Sequence, residues 1–213
     1  MTHDFFFDIT NPKIQNLKQE FEAKNFSSEI ELAQNVYEYV RDNWQYSPLR
    51  LSLIDSEWSS NFLLERKQGH CIDKSVLLIT ILKSLNIKAR LGLAKVKNHI
   101  AAERIIEFLG TDVLVPHGYV EIFLEDKWVK ATPAFNKTLC EKLNVPVLEF
   151  NGREDSIFQS FGNDGTDFME YIEDYGSFET IPLDFIESLL HAYYPILKEA
   201  GLEMGTVIDM SGQ

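Results

Sequence analysis

Gly69-His70-Cys71-Ile72-Asp73-Lys74 opens a strongly apolar segment that runs on to Leu85 and is long enough for one buried helix. Its cysteine follows a glycine and stands in the predicted first turn of that helix. Unpaired backbone N–H groups and the positive end of the helix dipole lie there, and both favour thiolate over thiol. The sequence therefore predicts a lowered pKa for Cys71 and makes it a candidate nucleophile, with a small buried apolar cysteine as the alternative.

The composition is that of a folded globular protein that can bury a sizeable core. The chain has 213 residues, of which 45% are hydrophobic and 12% are aromatic, which suits one domain or one domain with an appended piece. The formal net charge is −13. This charge argues against nucleic acid and membrane as partners, because nucleic acids and anionic membranes bind basic patches.

The two cysteines, Cys71 and Cys140, are too few for a disulfide framework, so a reducing compartment is expected. The stretch from Met1 to Asp8 lacks the basic region of a signal peptide, and no apolar run reaches the 18 residues of a membrane span. We therefore expect a cytoplasmic protein. The carboxylates have no metal-ligand spacing and no nucleotide-binding motif is present, so no metal and no other cofactor is expected.

Helices are predicted upstream of the cysteine. Ser28-Glu29-Ile30-Glu31 is a capping box, and apolar residues follow it at helical spacing, which predicts a helix over about 29–43. A short candidate helix covers 14–21, and another, over about 59–67, leads to Gly69.

Strands are predicted downstream. Residues 89–96 alternate in the manner of a strand, whereas 97–115 remains open between a partial helix at 101–108 and a strand around 105–109. The next stretch, His117 to Leu124, alternates cleanly, reverses at 125–127 and returns as 128–132. This pattern predicts a β-hairpin, and Pro133 ends its second strand.

The C-terminal part is markedly acidic. Between Glu149 and Glu187 there are eleven acidic residues and a single basic one, Arg153. We expect an irregular, acidic surface segment there, then a helix over about 182–194 that Pro195 interrupts or ends, and a frayed stretch over 201–213.

A cysteine nucleophile needs a histidine as base and a third group to orient that histidine. His117 is the favoured base, because it opens a strand at the end of a sheet, where a helix N-terminus can meet it. His70 adjoins Cys71, and neighbours in sequence rarely face each other at a helix start. The remaining histidines lie in segments predicted to be terminal, loop or helical surface: His3, His99 and His191.

The geometry of the predicted hairpin then indicates candidates for the residue that orients His117. If the turn consists of Glu125 and Asp126, His117 pairs with position 134, and its diagonal neighbours on the same face are Thr132 and Asn136. A turn shifted by one residue puts His117 directly opposite Asn136. Any two-residue turn keeps Thr132 and Asn136 on the His117 face.

These stretches together resemble the transglutaminase-like superfamily of papain-type cysteine enzymes. The similarity rests on Gly69-His70-Cys71 with its apolar helix, on His117-Gly118-Tyr119-Val120-Glu121-Ile122 followed by Trp128-Val129, and on the helix ending Val40-Arg41-Asp42-Asn43-Trp44-Gln45-Tyr46. It covers roughly residues 29–136, and the residues follow the family's order of cysteine, histidine and third residue.

The resemblance implies an α+β fold of papain-like, transglutaminase-like type, in which N-terminal helices and a central nucleophile helix pack on an antiparallel sheet. Residues 1–136 would form this core, and 137–213 an acidic extension packed on the same domain. The family's third residue is usually an aspartate before a proline, whereas this chain has Thr132-Pro133. Threonine accepts a hydrogen bond but brings no charge, and Asn136 offers a neutral amide, as in papain-like proteases.

The predicted function is acyl transfer from a peptide or protein amide through a thioester on Cys71, with His117 as base and Thr132 or Asn136 as its orienting partner. The activity would be that of a protease, amidase or transamidase, and the sequence leaves the second nucleophile open. The alternative is a catalytically weak or inactive module of the same fold that binds a peptide or protein partner.

Overall fold

The computed structural model describes residues 5–99, 106–107, 109–159 and 161–209. The helices are α1 (Pro12–Glu22), α2 (Glu29–Asn43), α3 (Ser60–Glu65), α4 (Cys71–Ser84), α5 (Lys137–Leu143), α6 (Leu183–Tyr193) and α7 (Pro195–Glu199). The strands are β1 (Gln45–Tyr46), β2 (Arg50–Ser52), β3 (Gln68–Gly69), β4 (Ala89–Asn98), β5 (Val113–Leu124), β6 (Lys127–Ala131), β7 (Met169–Phe178) and β8 (Val207–Asp209).

The predicted α+β class is confirmed, with helices ahead of the cysteine and an antiparallel sheet after it. The helix predicted over 29–43 is α2, and Ser28 caps it, since the Ser28 hydroxyl accepts a hydrogen bond from the Glu31 amide. Within this described stretch the reciprocal half of the expected capping box is absent, because the Glu31 carboxylate accepts from the backbone N–H and hydroxyl of Ser27. The alternatives for 101–108 fall largely outside the described residues. Among the described residues, no helix is both long enough and apolar enough to span a bilayer.

Helix α4 is the centre of the molecule. Every residue from Cys71 to Leu82 is buried, and α1, α2, α3, β4 and β5 all contact the helix. Each buried leucine or isoleucine contributes about 1.5–3 kcal/mol, which outweighs the modest helix propensity of the β-branched residues in this stretch. The helix ends before Asn86, whose positive φ of 64° reverses the chain toward β4.

The main sheet has the strand order β6-β5-β4-β7, and all its pairs are antiparallel. The hairpin of β5 and β6 turns at Glu125 and Asp126, which both adopt positive φ. Glu121 pairs with Lys130, so the register is the first of the two expected ones. The ladder stops at the pair of Val120 and Ala131, three residues short of position 134.

The C-terminal part is more regular than expected. Instead of an irregular segment throughout 149–187, it supplies β7, an edge strand that pairs with β4. The strand was not predicted because its sequence is rich in acidic residues. Acidic side chains of this strand can pair with basic ones on the neighbouring strand, as Glu173 does with Lys95. The expectation of a frayed stretch is wrong for β8, which pairs with β2, while 210–213 lies outside the described residues. The helix predicted over 182–194 is α6, and Pro195 begins α7.

Candidate active site

Cys71 is the first residue of α4, and its side chain is almost completely buried, with 7% exposed. Its Sγ accepts a hydrogen bond from the backbone N–H of Gly118 in β5, at 3.3 Å. A Cβ on Gly118 would lie 2.7 Å from Cγ1 and 2.9 Å from Cα of Ile72. Only glycine therefore lets β5 come close enough to α4 for its backbone to reach the sulfur.

His70 caps the helix that carries the cysteine. Its Nδ1 accepts hydrogen bonds from the backbone amides of Ile72 at 3.2 Å and Asp73 at 3.3 Å. The Asp73 carboxylate in turn accepts a hydrogen bond from the backbone N–H of His70, which completes a capping box. These bonds satisfy two of the free backbone amides at the start of α4.

The expectation of a lowered pKa for the Cys71 thiol is wrong. Burial raises the pKa of Cys71 to about 11, and the negative charge of Asp73 adds to this effect, while the Gly118 and Ile72 amides oppose it. At neutral pH the residue is a thiol, and its reactivity depends on a base that removes the proton.

His117 lies beside the same pocket as Cys71, with 1% of its side chain exposed. Burial lowers the pKa of His117 to about 4, with a smaller contribution from His70. Neither ring nitrogen has a hydrogen-bond partner among the described residues. At neutral pH the site therefore holds a neutral imidazole and a neutral thiol.

Thr132 and His117 both line a small second cavity, which Cys71 does not line. The Thr132 backbone is fixed, because its carbonyl accepts a hydrogen bond from the Tyr37 hydroxyl at 3.0 Å and its amide donates to Ser156 at 3.0 Å. The Thr132 hydroxyl is buried and has no partner within the described part of the chain. Thr132 shares this cavity with His117, but no hydrogen bond joins its hydroxyl to the imidazole in these two described side chains.

Asn136 is buried and lies in the loop that enters α5. Its Oδ1 accepts a hydrogen bond from the backbone amide of Tyr46 at 3.0 Å, and its Nδ2 donates to Thr138 at 2.6 Å. The amide oxygen that would hold His117 is engaged with the loop after α2. Cross-strand pairing does not place Asn136 beside His117, because β6 ends at Ala131.

Lys74 is a positioning residue that the sequence analysis missed. Its side chain is fully buried, and Nζ donates hydrogen bonds to the backbone carbonyls of Arg41, Trp44 and Ala134 at 2.7–2.8 Å. Although burial lowers the pKa of Lys74 to about 7, three carbonyl acceptors match the three donors of an ammonium group. The signal was a lysine in the first turn of an apolar helical run.

Aromatic side chains form part of the pocket wall. Trp58 donates its indole N–H to the Ser52 carbonyl at 2.9 Å, which leaves that group unavailable to a substrate. Tyr46 packs edge-on against Phe135, and burial raises the pKa of Tyr46 well above its ordinary value. Its hydroxyl therefore stays protonated beside Cys71, as a potential donor.

No group of three or more His, Cys, Asp or Glu side chains suited to a metal ion occurs among the described residues. Cys140, the second cysteine, is fully buried in a separate apolar cluster.

Comparison with known proteins places the chain in a family. Two solved structures are similar to it at low identity. The first is a "putative cysteine protease" from Cytophaga hutchinsonii, which is 14% identical over 83% of this chain and 54% of that one, with a TM-score of 0.46. The second is a "putative protease" from Parabacteroides distasonis, which is 12% identical over 56% of this chain and 22% of that one, with a TM-score of 0.39. The chain thus spans about half, or less, of the length of these proteins. No curated protein matches it. The family model of the transglutaminase-like superfamily matches residues 15–133, more than half of the 213 residues; the chain belongs to the transglutaminase-like superfamily.

Proposed function

We propose that this protein is a cysteine-nucleophile acyl-transfer enzyme that acts on amide bonds of peptides or proteins through a thioester. The observation that carries the proposal is the hydrogen bond from the Gly118 amide to Cys71 Sγ. This contact holds the start of α4 against β5 and so brings the neighbouring residue, His117, to the pocket that Cys71 lines.

In the first half of the reaction, His117 accepts the Cys71 proton while the sulfur bonds to the amide carbon. The resulting imidazolium then gives its proton to the amine nitrogen as the C–N bond breaks, which leaves a thioester and a free amine. In the second half, water or another amine attacks the thioester carbon, His117 relays the proton, and the C–S bond breaks to restore the thiol. Water gives hydrolysis, and an amine gives transamidation.

The oxyanion of each tetrahedral intermediate needs hydrogen-bond donors. The backbone N–H of Cys71 at the start of α4 is one candidate. The Tyr46 hydroxyl is the other, because it remains protonated and lines the same pocket. Preorganised donors of this kind are worth about 10²–10³ in kcat each.

A reactive aryl ester, p-nitrophenyl acetate, tests the proposal without knowledge of the natural substrate. We expect one equivalent of nitrophenol to be released quickly, with one acetyl group on Cys71 by peptide mass mapping, followed by slow turnover. Cys140→Ser should behave like the unmodified protein, and His117→Ala should acylate far more slowly. Acetylation spread over lysines, or equal in Cys71→Ser, would contradict the proposal. Adding a primary amine distinguishes transfer to water from transfer to an amine.

A second candidate function is a weak or inactive module that grips a peptide or protein. One observation favours it: both His117 nitrogens and the Thr132 hydroxyl are buried without partners among the described residues, so no charge stabilises an imidazolium. Here Cys71→Ala would leave partner binding unchanged, and no acyl-enzyme would form with p-nitrophenyl acetate. An acyl-enzyme that turns over would exclude this reading.

A further inference from the structure

The pocket that Cys71 and His117 line is built mainly of apolar surface. It has a cavity volume of about 80 Å³ and is partly open to solvent. Its lining residues, all in the described part of the chain, include no Asp, Glu, Lys or Arg. This contrasts with a chain that carries 33 acidic and 20 basic residues.

The polar atoms of two lining aromatics are satisfied inside the protein and leave ring surface for the pocket. Tyr194 donates its hydroxyl hydrogen to the Val113 carbonyl at 2.7 Å and accepts from the Val115 amide at 2.6 Å. Trp58 donates to Ser52. A polar or charged substrate side chain placed against these two rings would lose its water without finding a hydrogen-bond partner on them, which is unfavourable. The Tyr46 hydroxyl proposed for the oxyanion is a separate donor in the same pocket.

The far wall comes from α6, which lies outside the stretch that matches the family. Ile186 and Leu190 of this helix line the pocket together with Val115 of β5 and Leu109, and α6 packs directly on β5. The C-terminal part of the chain therefore contributes surface next to the candidate nucleophile, beyond residues 15–133.

We propose that this pocket selects the acyl side of the substrate, and that the residue whose carbonyl Cys71 attacks carries a bulky aliphatic or aromatic side chain. The inference rests on the proposed function and names its substrate class. We assign the substrate as the occupant because the candidate nucleophile itself lines the pocket. The substrate side chain that enters is expected to be apolar because the pocket walls are mainly apolar. Burial of one leucine or phenylalanine side chain is worth about 1.5–3 kcal/mol, which corresponds to a preference of about tenfold or more.

Chloromethyl ketones of acetylated amino acids test this preference on the full chain, independently of turnover. The cysteine sulfur displaces chloride, so a C–S bond forms, the C–Cl bond breaks and a proton is released. Rates of mass addition at Cys71 would be compared for the leucine, phenylalanine, glutamine and aspartate reagents, with iodoacetamide as a side-chain-free reference. We expect the leucine and phenylalanine reagents to react at least about tenfold faster than the other two.

A matched pair of variants tests whether the preference for apolar reagents arises in this pocket. Leu190 and Leu189 are neighbours on α6 and similarly buried, at 5% and 8% exposed, but only Leu190 lines the pocket. Leu190→Gln should lower the rates with the leucine and phenylalanine reagents relative to its own iodoacetamide rate, and Leu189→Gln should retain the preference.

The outcomes separate this inference from the proposed function. Equal rates for all four reagents, or faster reaction of the polar ones, would overturn the inference while iodoacetamide still labels Cys71. An unchanged preference in Leu190→Gln would also overturn it. Failure of every electrophile to label Cys71 would remove the proposed function and this inference together. The ranking in the unmodified protein decides the question even if a variant fails to fold.

Discussion

The backbone N–H of Gly118 lies 3.3 Å from the sulfur of Cys71 and donates a hydrogen bond to it. The contact joins the nucleophile helix to the strand that carries His117, and it exists because residue 118 has no side chain. A Cβ there would meet the backbone of Ile72 at 2.9 Å, closer than real Cβ contacts. The spacing between α4 and β5 is thus set by one glycine.

Gly118→Ala should therefore damage the site more than the fold. The new methyl group must push β5 away from α4, which lengthens the contact to Cys71 and moves His117. A displacement of about 1 Å at a reacting group reduces rate by about a hundredfold. We expect a loss of that order in the acylation rate, measured with p-nitrophenyl acetate.

Gly110→Ala is the matched control for this substitution. No atom lies within 4 Å of the added Cβ at that position, although its positive φ of 74° introduces backbone strain. Thermal unfolding should register both changes, but only Gly118→Ala should slow acylation. Similar acylation rates for the two variants would show that the contact with Cys71 is unimportant.

Thr132→Asp should raise the acylation rate. Burial holds the pKa of His117 at about 4, and a carboxylate at position 132 would favour the imidazolium and raise that pKa. A stronger base removes the Cys71 proton more readily, so we expect a rate increase of about tenfold at neutral pH. The acidic limb of the pH–rate profile should move upward from about pH 4.

Two neutral variants control for shape at position 132. Thr132→Asn has the size of aspartate without its charge, and Thr132→Val keeps the branched shape of threonine without its hydroxyl. If Thr132→Asn accelerates acylation as much as Thr132→Asp does, electrostatic support of His117 is not the cause. Loss of rate in Thr132→Val alone would assign the existing role to the hydroxyl.

Local patterns predicted the elements that bear the site. The capping box at Ser28 and the alternation after His117 were sufficient for α2 and for the β5–β6 register, because helix caps and strand alternation depend on neighbouring residues. The acidic residues concealed β7, since an edge strand can carry charges outward to partners elsewhere in the sheet. No local pattern indicates that pairing.

The parts that sequence reasoning missed depend on distant contacts. Lys74 binds carbonyls of three residues, the nearest of them 30 positions away. The amide of Thr132 donates to the carbonyl of Ser156, and Asn136 accepts from the amide of Tyr46, 90 positions earlier in the chain. The raised pKa of Cys71 is likewise a consequence of burial by the whole fold, which outweighs the helix N-terminus.

The pH dependence of alkylation should report this raised pKa. Because burial holds the pKa of Cys71 at about 11, the thiolate fraction should rise about tenfold per pH unit between pH 7 and 10. The rate with iodoacetamide should follow it without a plateau. Cys140 is fully buried and should react much more slowly. A plateau near pH 7 for Cys71 would reveal a thiolate that the unliganded site already stabilises.

Lys74→Met should destabilise the fold and, through it, the site. The substitution preserves the length and apolar stem of the side chain but leaves the carbonyls of Arg41, Trp44 and Ala134 without their common donor. A buried acceptor without a partner costs about 1–3 kcal/mol, so we expect the free energy of unfolding to fall by about 3 kcal/mol in urea titrations. Lys142→Met, on the exposed side of α5, should change it by less than about 0.5 kcal/mol. Equal stability of the two variants would mean that Lys74 does not bind these three segments together.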